Sequence, residues 1–235
     1  MKNNIVITSF AWKMAERVLL QGLAVVVQVI LARLLMPSDF AAVALINAVI
    51  HYLGLFVQSG LSTVVVQKKE LDNKDISTLM TYSLCTATLL YISIFFLAPL
   101  LSNYYNVGDL ILPIRVAALS LFLYSFNSIQ TGILSRQMRF RTIFFLSIVA
   151  MPIAAVIAIT MAFCGMGIWA LICNTLLNIL LTVIIMNTMP ELRIKLGFSF
   201  IRFKQLFSFS GKILLTTLIS GGGDTLRTLV IGKFY

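Results

Sequence analysis

Long apolar stretches follow one another along this chain, with only short polar segments between them. A helix needs about 20 apolar residues to cross the roughly 30 Å hydrocarbon core of a bilayer, and each stretch is long enough to do so. The stretches lie at residues 15–35, 39–62, 77–101, 110–134, 142–163, 167–188 and 206–231. We therefore predict an all-α, multi-pass membrane protein with about seven transmembrane helices.

Composition and the placement of charge agree with this prediction. Hydrophobic residues make up 60% of the chain and charged residues 11%, less than half of the roughly 25% found in soluble domains. The net charge of +10 comes from Lys and Arg in the N-terminal segment and in the segments after the second, fourth and sixth stretches, whereas the segments after the third and fifth contain none. By the positive-inside rule the N-terminus is cytoplasmic. The basic charge thus orients the chain in the membrane, and no nucleic-acid partner is predicted.

The residues that usually carry enzyme chemistry are sparse. Cys85, Cys164 and Cys173 lie in or beside apolar stretches without CxxC or Cys/His spacing, so we predict buried thiols rather than disulfides or metal ligands. His51 is the single histidine, and no His/Asp/Glu cluster is available for acid–base catalysis. The sequence predicts no metal site, no cofactor and no enzymatic activity.

Polar residues recur at helical spacing within four of the stretches and would line one face of each helix. These stripes are Lys13, Arg17, Gln21, Ala24 and Gln28 in the first stretch; Asn47, His51, Gly54 and Gln58 in the second; Ser120, Tyr124, Asn127 and Thr131 in the fourth; and Lys212, Thr216, Ser220, Gly223 and Arg227 in the seventh. Such residues either hydrogen-bond helices together or face a water-accessible cavity. For the fourth stretch both explanations stay open. The ionisable residues in the stripes of the first, second and seventh stretches favour a cationic, water-accessible cavity.

Several residues are candidates for specific roles in that cavity. The candidates for substrate contact are Arg17, Gln21, Gln28, Asn47, His51, Gln58, Arg115 and Arg227. Arg17 and Arg115 lie near helix ends, where they either contact an anion or extend their guanidinium groups to the membrane surface. His51 is either a proton relay or a neutral side chain bonded across helices.

The seventh stretch combines glycines with charge. Gly221, Gly222 and Gly223 predict either a break in the helix, as in transporters near a binding site, or close packing against a neighbour. Asp224 lies three residues before Arg227, a spacing at which the two can pair. With His51, Asp224 is a candidate for ion coupling. Before this stretch, residues 198–204 (FSFIRFK) alternate aromatic and basic residues and are either an interfacial helix or a cytoplasmic loop.

Four sequence segments are similar to one family. AWKMAERVLLQG (11–22), LARLLMPSDF (31–40), GLSTVVVQ (60–67) and LSRQMRFR (134–141), in this order and with this hydropathy, resemble the bacterial polysaccharide flippases. These are the O-antigen and colanic-acid (Wzx) type of the multidrug/oligosaccharidyl-lipid/polysaccharide exporter superfamily. None of the four segments is a catalytic signature.

The resemblance implies two six-helix lobes around a cavity that opens alternately to each side of the bacterial inner membrane. It implies transport of a polyprenyl-pyrophosphate-linked oligosaccharide to the outer leaflet for surface polysaccharide or lipopolysaccharide biosynthesis. The other partners implied are membrane lipid, a polysaccharide polymerase and further assembly proteins. Cationic residues suit a pyrophosphate, and Arg17 matches an arginine that matters for transport in the related lipid-II flippases.

On this resemblance, residues 1–205 form the N-terminal six-helix lobe with its cytoplasmic connector, and residues 206–235 form the first helix of a second lobe. We expect the chain to be the N-terminal portion of a longer exporter. A drug or small-molecule exporter of the same superfamily is an alternative that favours acidic cavity residues. A membrane enzyme of polysaccharide assembly, which needs a long outer loop or an acid–base cluster, and a non-transporting scaffold are the others.

Overall fold

A computed structural model describes residues 2–58, 61–68, 70–105, 110–194 and 196–204 of the chain. Its helices are α1 (Lys2–Leu34), α2 (Pro37–Gln58), α3 (Leu61–Gln67), α4 (Asn73–Tyr105), α5 (Ile111–Ala117), α6 (Ser120–Arg136), α7 (Phe140–Phe163) and α8 (Ile168–Thr188), followed by a 3-10 turn at Pro190–Leu192. The described residues contain 6 helices long and apolar enough to span a membrane. Two of these spans combine a pair of helices, α2 with α3 and α5 with α6.

The predicted all-α membrane fold is confirmed, and each of the first six predicted stretches coincides with a span. The predicted seventh helix, residues 206–231, lies outside the described residues. The division of the chain at residue 205 therefore stays a prediction.

The α1–α2 and α7–α8 connections lie at the same end of the bundle, and Asp39 and Gly167 help to determine where α2 and α8 begin. The Asp39 carboxylate accepts a hydrogen bond from the Met36 amide at 3.3 Å, at the start of α2. Gly167 precedes α8 with φ +50°, a backbone conformation that residues with a Cβ atom rarely adopt. A Cβ on Gly167 would also lie 3.4 Å from the Asp39 carboxylate, so the two connections meet at this glycine.

Helix α6 lies at the centre of the bundle and packs against α2, α3, α4, α7 and α8, whereas α1 packs mainly against α7. The apolar core has two main clusters, one in each half of the bundle's length. Ile46, Ala118 and Leu121 belong to the first, and Leu134 and Met186 belong to the second. Because α6 contributes to both clusters, it ties the two halves of the bundle together.

Helix α7 packs through small residues. Ala154 and Ala158 are fully buried at a four-residue spacing, and Ala155 forms a third apolar cluster with Val27 and Leu31 of α1. Small side chains let helix backbones approach closely, which is the usual way that helices associate in lipid. Helix α7 packs against α8 on one side and α1 on the other, which agrees with the near absence of polar residues from its sequence.

The prediction of buried thiols is wrong for two of the three cysteines. Cys85 and Cys164 are exposed at the protein surface, and Cys173 is half-buried. A membrane bundle turns apolar residues outward toward lipid as well as inward, so an apolar stretch does not imply burial in protein.

The connector after α8 folds back onto the start of α4. Arg202 donates hydrogen bonds to Asp72 at 2.9 Å and to Asp75 at 3.0 Å, and Asp75, which is 1% exposed, also accepts one from Lys68 at 2.6 Å. These hydrogen bonds, the one with Asp72 first, raise the pKa of the Arg202 guanidinium above its ordinary value. The group therefore stays charged.

The sequence predicts either an interfacial helix or a cytoplasmic loop for the FSFIRFK segment (residues 198–204), and the structure has features of both. Residues 200–204 are helical, and the Phe203 ring packs 5.0 Å from Tyr82 of α4. Phe200 and Ile201 are 70% and 75% exposed. One side of this turn is thus bound to the bundle by charge and ring contact, and the other presents apolar side chains outward.

Candidate functional site

A cavity lined by both polar and apolar side chains runs along one side of the bundle between α1, α2, α6, α7 and α8. It consists of three pockets with shared walls. Asn47 lines the first and the second pocket, Tyr124 the second and the third, and Thr175 all three. We therefore treat them as one continuous lining, hereafter the polar cavity.

Three of the candidate residues, from two helices, line the polar cavity. Gln28 of α1 and Asn47 of α2 line its first pocket, and His51, one turn after Asn47, lines the second. The whole stripe predicted for the fourth stretch also contributes to the lining: Ser120, Tyr124, Asn127 and Thr131. The structure thus gathers polar residues of the first, second and fourth stretches on one cavity.

Hydrogen bonding separates the cavity residues from the residues that hold helices together. Gln130, which is 0% exposed, donates to the Asn187 side chain at 2.7 Å and to the Leu192 carbonyl at 3.2 Å. Among the described residues, by contrast, the side chains of Asn47, Asn174 and Asn178 make no hydrogen bond. Their donors and acceptors are left for water or a ligand in the cavity.

The end of the polar cavity near the start of α1 carries charge. Lys13 and Glu16 both line the third pocket, and their side chains form an ion pair at 2.8 Å. Arg17 lies on the same helix face, one turn after Lys13, and Gln21 follows after another turn; both are exposed. Arg17 forms no ion pair with any other described residue. Arg17 and Gln21 line none of the three pockets, so Arg17 lies beside this end as a cation without a carboxylate partner among the described residues.

Two other candidates lie away from these residues. The Arg115 guanidinium stacks 3.8 Å from the centre of the Phe95 ring and donates to the Phe95 carbonyl at 3.2 Å, so it fastens α5 to α4. Gln58 is half-buried at the end of α2, one turn past Gly54, where a Cβ would lie 3.3 Å from the Tyr124 ring. Neither contact gives direct support to a role in the polar cavity.

The remaining candidates, Gly221, Gly222, Gly223, Asp224 and Arg227, lie outside the described residues. Their roles as helix break, ion-coupling site and substrate contact stay predictions. For His51, no hydrogen bond to a neighbouring helix is present within the described ranges, and the proton-relay hypothesis also stays a prediction.

Helix α8 supplies the part of the lining that sequence reasoning missed. Asn174, Asn178 and Thr182 line the third pocket, and the two asparagines line the first pocket as well. They follow one another every four residues, the same spacing that revealed the other stripes. The signal was therefore present in the sequence.

The polar side chains of the lining can form hydrogen bonds with a bound ligand. Carboxamides donate and accept hydrogen bonds, and hydroxyl groups do both as well, so the polar cavity suits a ligand rich in hydroxyl groups. Within the part of the chain that the structure describes, no group of three His, Cys, Asp or Glu side chains is placed to hold a metal ion.

Comparisons with known proteins give this geometry a family context. The family described as polysaccharide biosynthesis protein matches residues 30–235. A succinoglycan biosynthesis transport protein of Rhizobium meliloti is 26% identical over 169 residues, which is 72% of this chain and 34% of that protein. This chain thus spans about a third of that relative's length. No solved structure matches the chain.

Proposed function

The chain belongs to the family of polysaccharide biosynthesis proteins, and from this premise we propose that it moves a lipid-linked oligosaccharide across the membrane. The cargo is a polyprenyl-pyrophosphate-linked oligosaccharide, and it passes from the cytoplasmic to the outer leaflet of the bacterial inner membrane by alternating access. The transport named for the Rhizobium meliloti relative supports a transporter rather than an enzyme.

The single observation that carries this proposal is the polar cavity in an otherwise apolar bundle. Each sugar hydroxyl that enters hydrocarbon without a partner costs several kcal/mol on water-to-alkane scales, so an oligosaccharide needs a polar path. The lining of Asn, Gln, Ser and Thr side chains offers one. The polyprenyl tail needs no such path and stays in the surrounding lipid, against apolar side chains such as the exposed Val18, Val25 and Val29 of α1.

Arg17, on α1 beside the charged end of the cavity, supports the pyrophosphate part of the cargo. A guanidinium group binds phosphate oxygens by charge-assisted hydrogen bonds, and Arg17 has no carboxylate partner among the described residues. A drug exporter for organic cations needs a free carboxylate instead. Among the described cavity-lining residues the carboxylate is Glu16, and it is already paired with Lys13.

The complete transport cycle requires a surface that closes the other side of the cavity. We propose that residues 1–205 act as one lobe and that residues 206–235 begin a second lobe. The polymerase and other assembly proteins would receive the cargo at the outer leaflet. His51 and Asp224 are the residues proposed to couple transport to an ion gradient.

Deletion of the gene in the organism that encodes it tests the proposal. We expect loss of one surface polysaccharide and accumulation of its complete lipid-linked repeat unit in the cytoplasmic leaflet, where a membrane-impermeant glycosidase does not reach it in spheroplasts. Accumulation of the unit in the outer leaflet would indicate a polymerase or ligase instead. Normal polysaccharide with altered drug susceptibility would indicate a drug exporter, and either result overturns the proposal.

A further inference from the structure

The first pocket of the polar cavity contains a group of amide side chains, and no charged residue is among the described residues that line this pocket. Asn174 and Asn178 lie one turn apart on α8, and Asn47 of α2 lines the same pocket. Successive asparagines four residues apart are separated by about 6 Å along the helix axis. We call these three residues the amide row.

The amide row is neither apolar packing nor structural hydrogen bonding. Asn174 and Asn178 are half-buried, yet in the described part of the chain no hydrogen bond satisfies their amides. Asn187, on the same helix, accepts a hydrogen bond from the buried Gln130. A membrane helix that places two unpaired amides on one face exposes them to a polar occupant, because an amide left without a partner away from water is costly.

The chemistry of the row fixes the kind of occupant. A carboxamide accepts through its oxygen and donates through its nitrogen, which matches two adjacent hydroxyl groups of a sugar ring. The described residues that line the first pocket include no Lys, Arg, Asp or Glu. Asn174 and Asn178 also line the third pocket, where the Lys13 side chain is paired with Glu16. An acidic sugar or a phosphate would call for an unpaired cation in these linings, whereas a neutral sugar needs none.

We propose that the amide row is a subsite for a neutral sugar of the lipid-linked oligosaccharide, next to the Lys13–Glu16 ion pair that shares the third pocket with Asn174 and Asn178. This inference rests on the proposed function. It adds that the sugar itself contributes to recognition, through hydrogen bonds to Asn47, Asn174 and Asn178.

Binding of two defined lipids tests the subsite. The purified full chain in lipid nanodiscs is titrated with polyprenyl diphosphate and, separately, with polyprenyl diphosphate that carries a neutral hexose disaccharide, and the Kd of each is measured by native mass spectrometry. We expect the disaccharide to strengthen binding to the unmodified chain by about tenfold or more, the equivalent of two net hydrogen bonds. The variant Asn174→Leu/Asn178→Leu should lose this gain and keep the affinity for bare polyprenyl diphosphate.

Asn187→Leu is the matched control, since it removes an amide from the same helix outside the cavity. It should lower the thermal unfolding temperature and leave the gain from the disaccharide unchanged. If the double variant does not fold, the single variants Asn174→Leu and Asn178→Leu provide the same comparison, each with a smaller loss.

The outcomes separate the two proposals. A chain that binds both lipids equally, or a folded leucine variant that keeps the gain from the disaccharide, overturns the sugar subsite and leaves the flippase proposal intact. A chain that binds neither lipid overturns both.

Discussion

At the scale of single residues, amide side chains have two different environments in this bundle. Gln130 is fully buried and bonded to two partners on α8 and the turn after it, whereas Asn178 lines a cavity with its amide unpaired among the described residues. The sequence identified polar residues at helical spacing but assigned no role to either of these two. The distinction depends on what each side chain faces across the helix interface, and helical spacing alone does not contain it.

Replacing Gln130 with methionine should destabilise the bundle without changing its shape. The substitution keeps the volume but removes the hydrogen bonds to Asn187 and Leu192, and it also removes a buried Oε1 that has no partner. Hydrogen bonds between transmembrane helices contribute about 0.6 kcal/mol on average, so we expect a loss of about 1 kcal/mol in the free energy of unfolding. Thermal unfolding in detergent measures this.

Gln137→Met is the control for this substitution, because Gln137 is exposed in the α6–α7 connection. Its unfolding temperature should match that of the unmodified chain. A Gln130→Met variant as stable as the control would show that the unpaired oxygen costs as much as the two hydrogen bonds contribute.

At the scale of elements, the sequence predicts where helices are far better than which helices touch. The stretches 142–163 and 167–188 fall within two residues of α7 (Phe140–Phe163) and α8 (Ile168–Thr188), since bilayer thickness and turn residues fix both ends. The polar residues of α8, Asn174, Asn178 and Thr182, recur at the same helical spacing as the predicted stripes, so the sequence alone could have predicted that they share a face. The central position of α6 depends on contacts between stretches far apart in the chain, and no local pattern encodes it.

The contact between α3 and α6 depends on Gly132. A Cβ at this position would lie 3.2 Å from the Ser62 Cα atom and 3.2 Å from the Val65 Cβ atom, and a helix backbone cannot move aside as a flexible side chain can. We expect Gly132→Val to lower the free energy of unfolding by about 2 kcal/mol, within the range for overpacking. Gly22→Val introduces the same side chain where no atom lies within 4 Å. Thermal unfolding of the two variants should therefore differ, and equal unfolding temperatures would contradict the close packing of α3 on α6.

At the scale of the whole molecule, the charge distribution predicts how the chain is oriented in the membrane, and the positions of the cysteines allow this orientation to be measured. With a cytoplasmic N-terminus, the odd-numbered connections between spans face outward. The α7–α8 connection begins at Cys164, which is exposed. Cys85 is also exposed, but it lies about 18 Å along α4 from Asn73, within the depth of the bilayer.

A membrane-impermeant maleimide should therefore label Cys164 in intact spheroplasts and leave Cys85 and Cys173 unlabelled. Cys164→Ser should abolish the labelling, which shows that the signal comes from this thiol. Labelling of Cys164 only after the membrane is permeabilised would reverse the proposed orientation.

The ion pairs of Asp75 with Lys68 and Arg202 form in a fixed order as the protein is synthesised. Lys68 is seven residues from Asp75, so the two can pair once this part of the chain has left the ribosome, whereas Arg202 is 127 residues away. At roughly 5–20 residues per second of translation, the ribosome adds Arg202 about 6–25 s after Asp75. During that interval four further spans are synthesised, and the second carboxylate oxygen of Asp75 lacks its arginine. The connector can thus be fastened only after the last of the six described spans has been made, which makes this contact a late step in the maturation of the bundle.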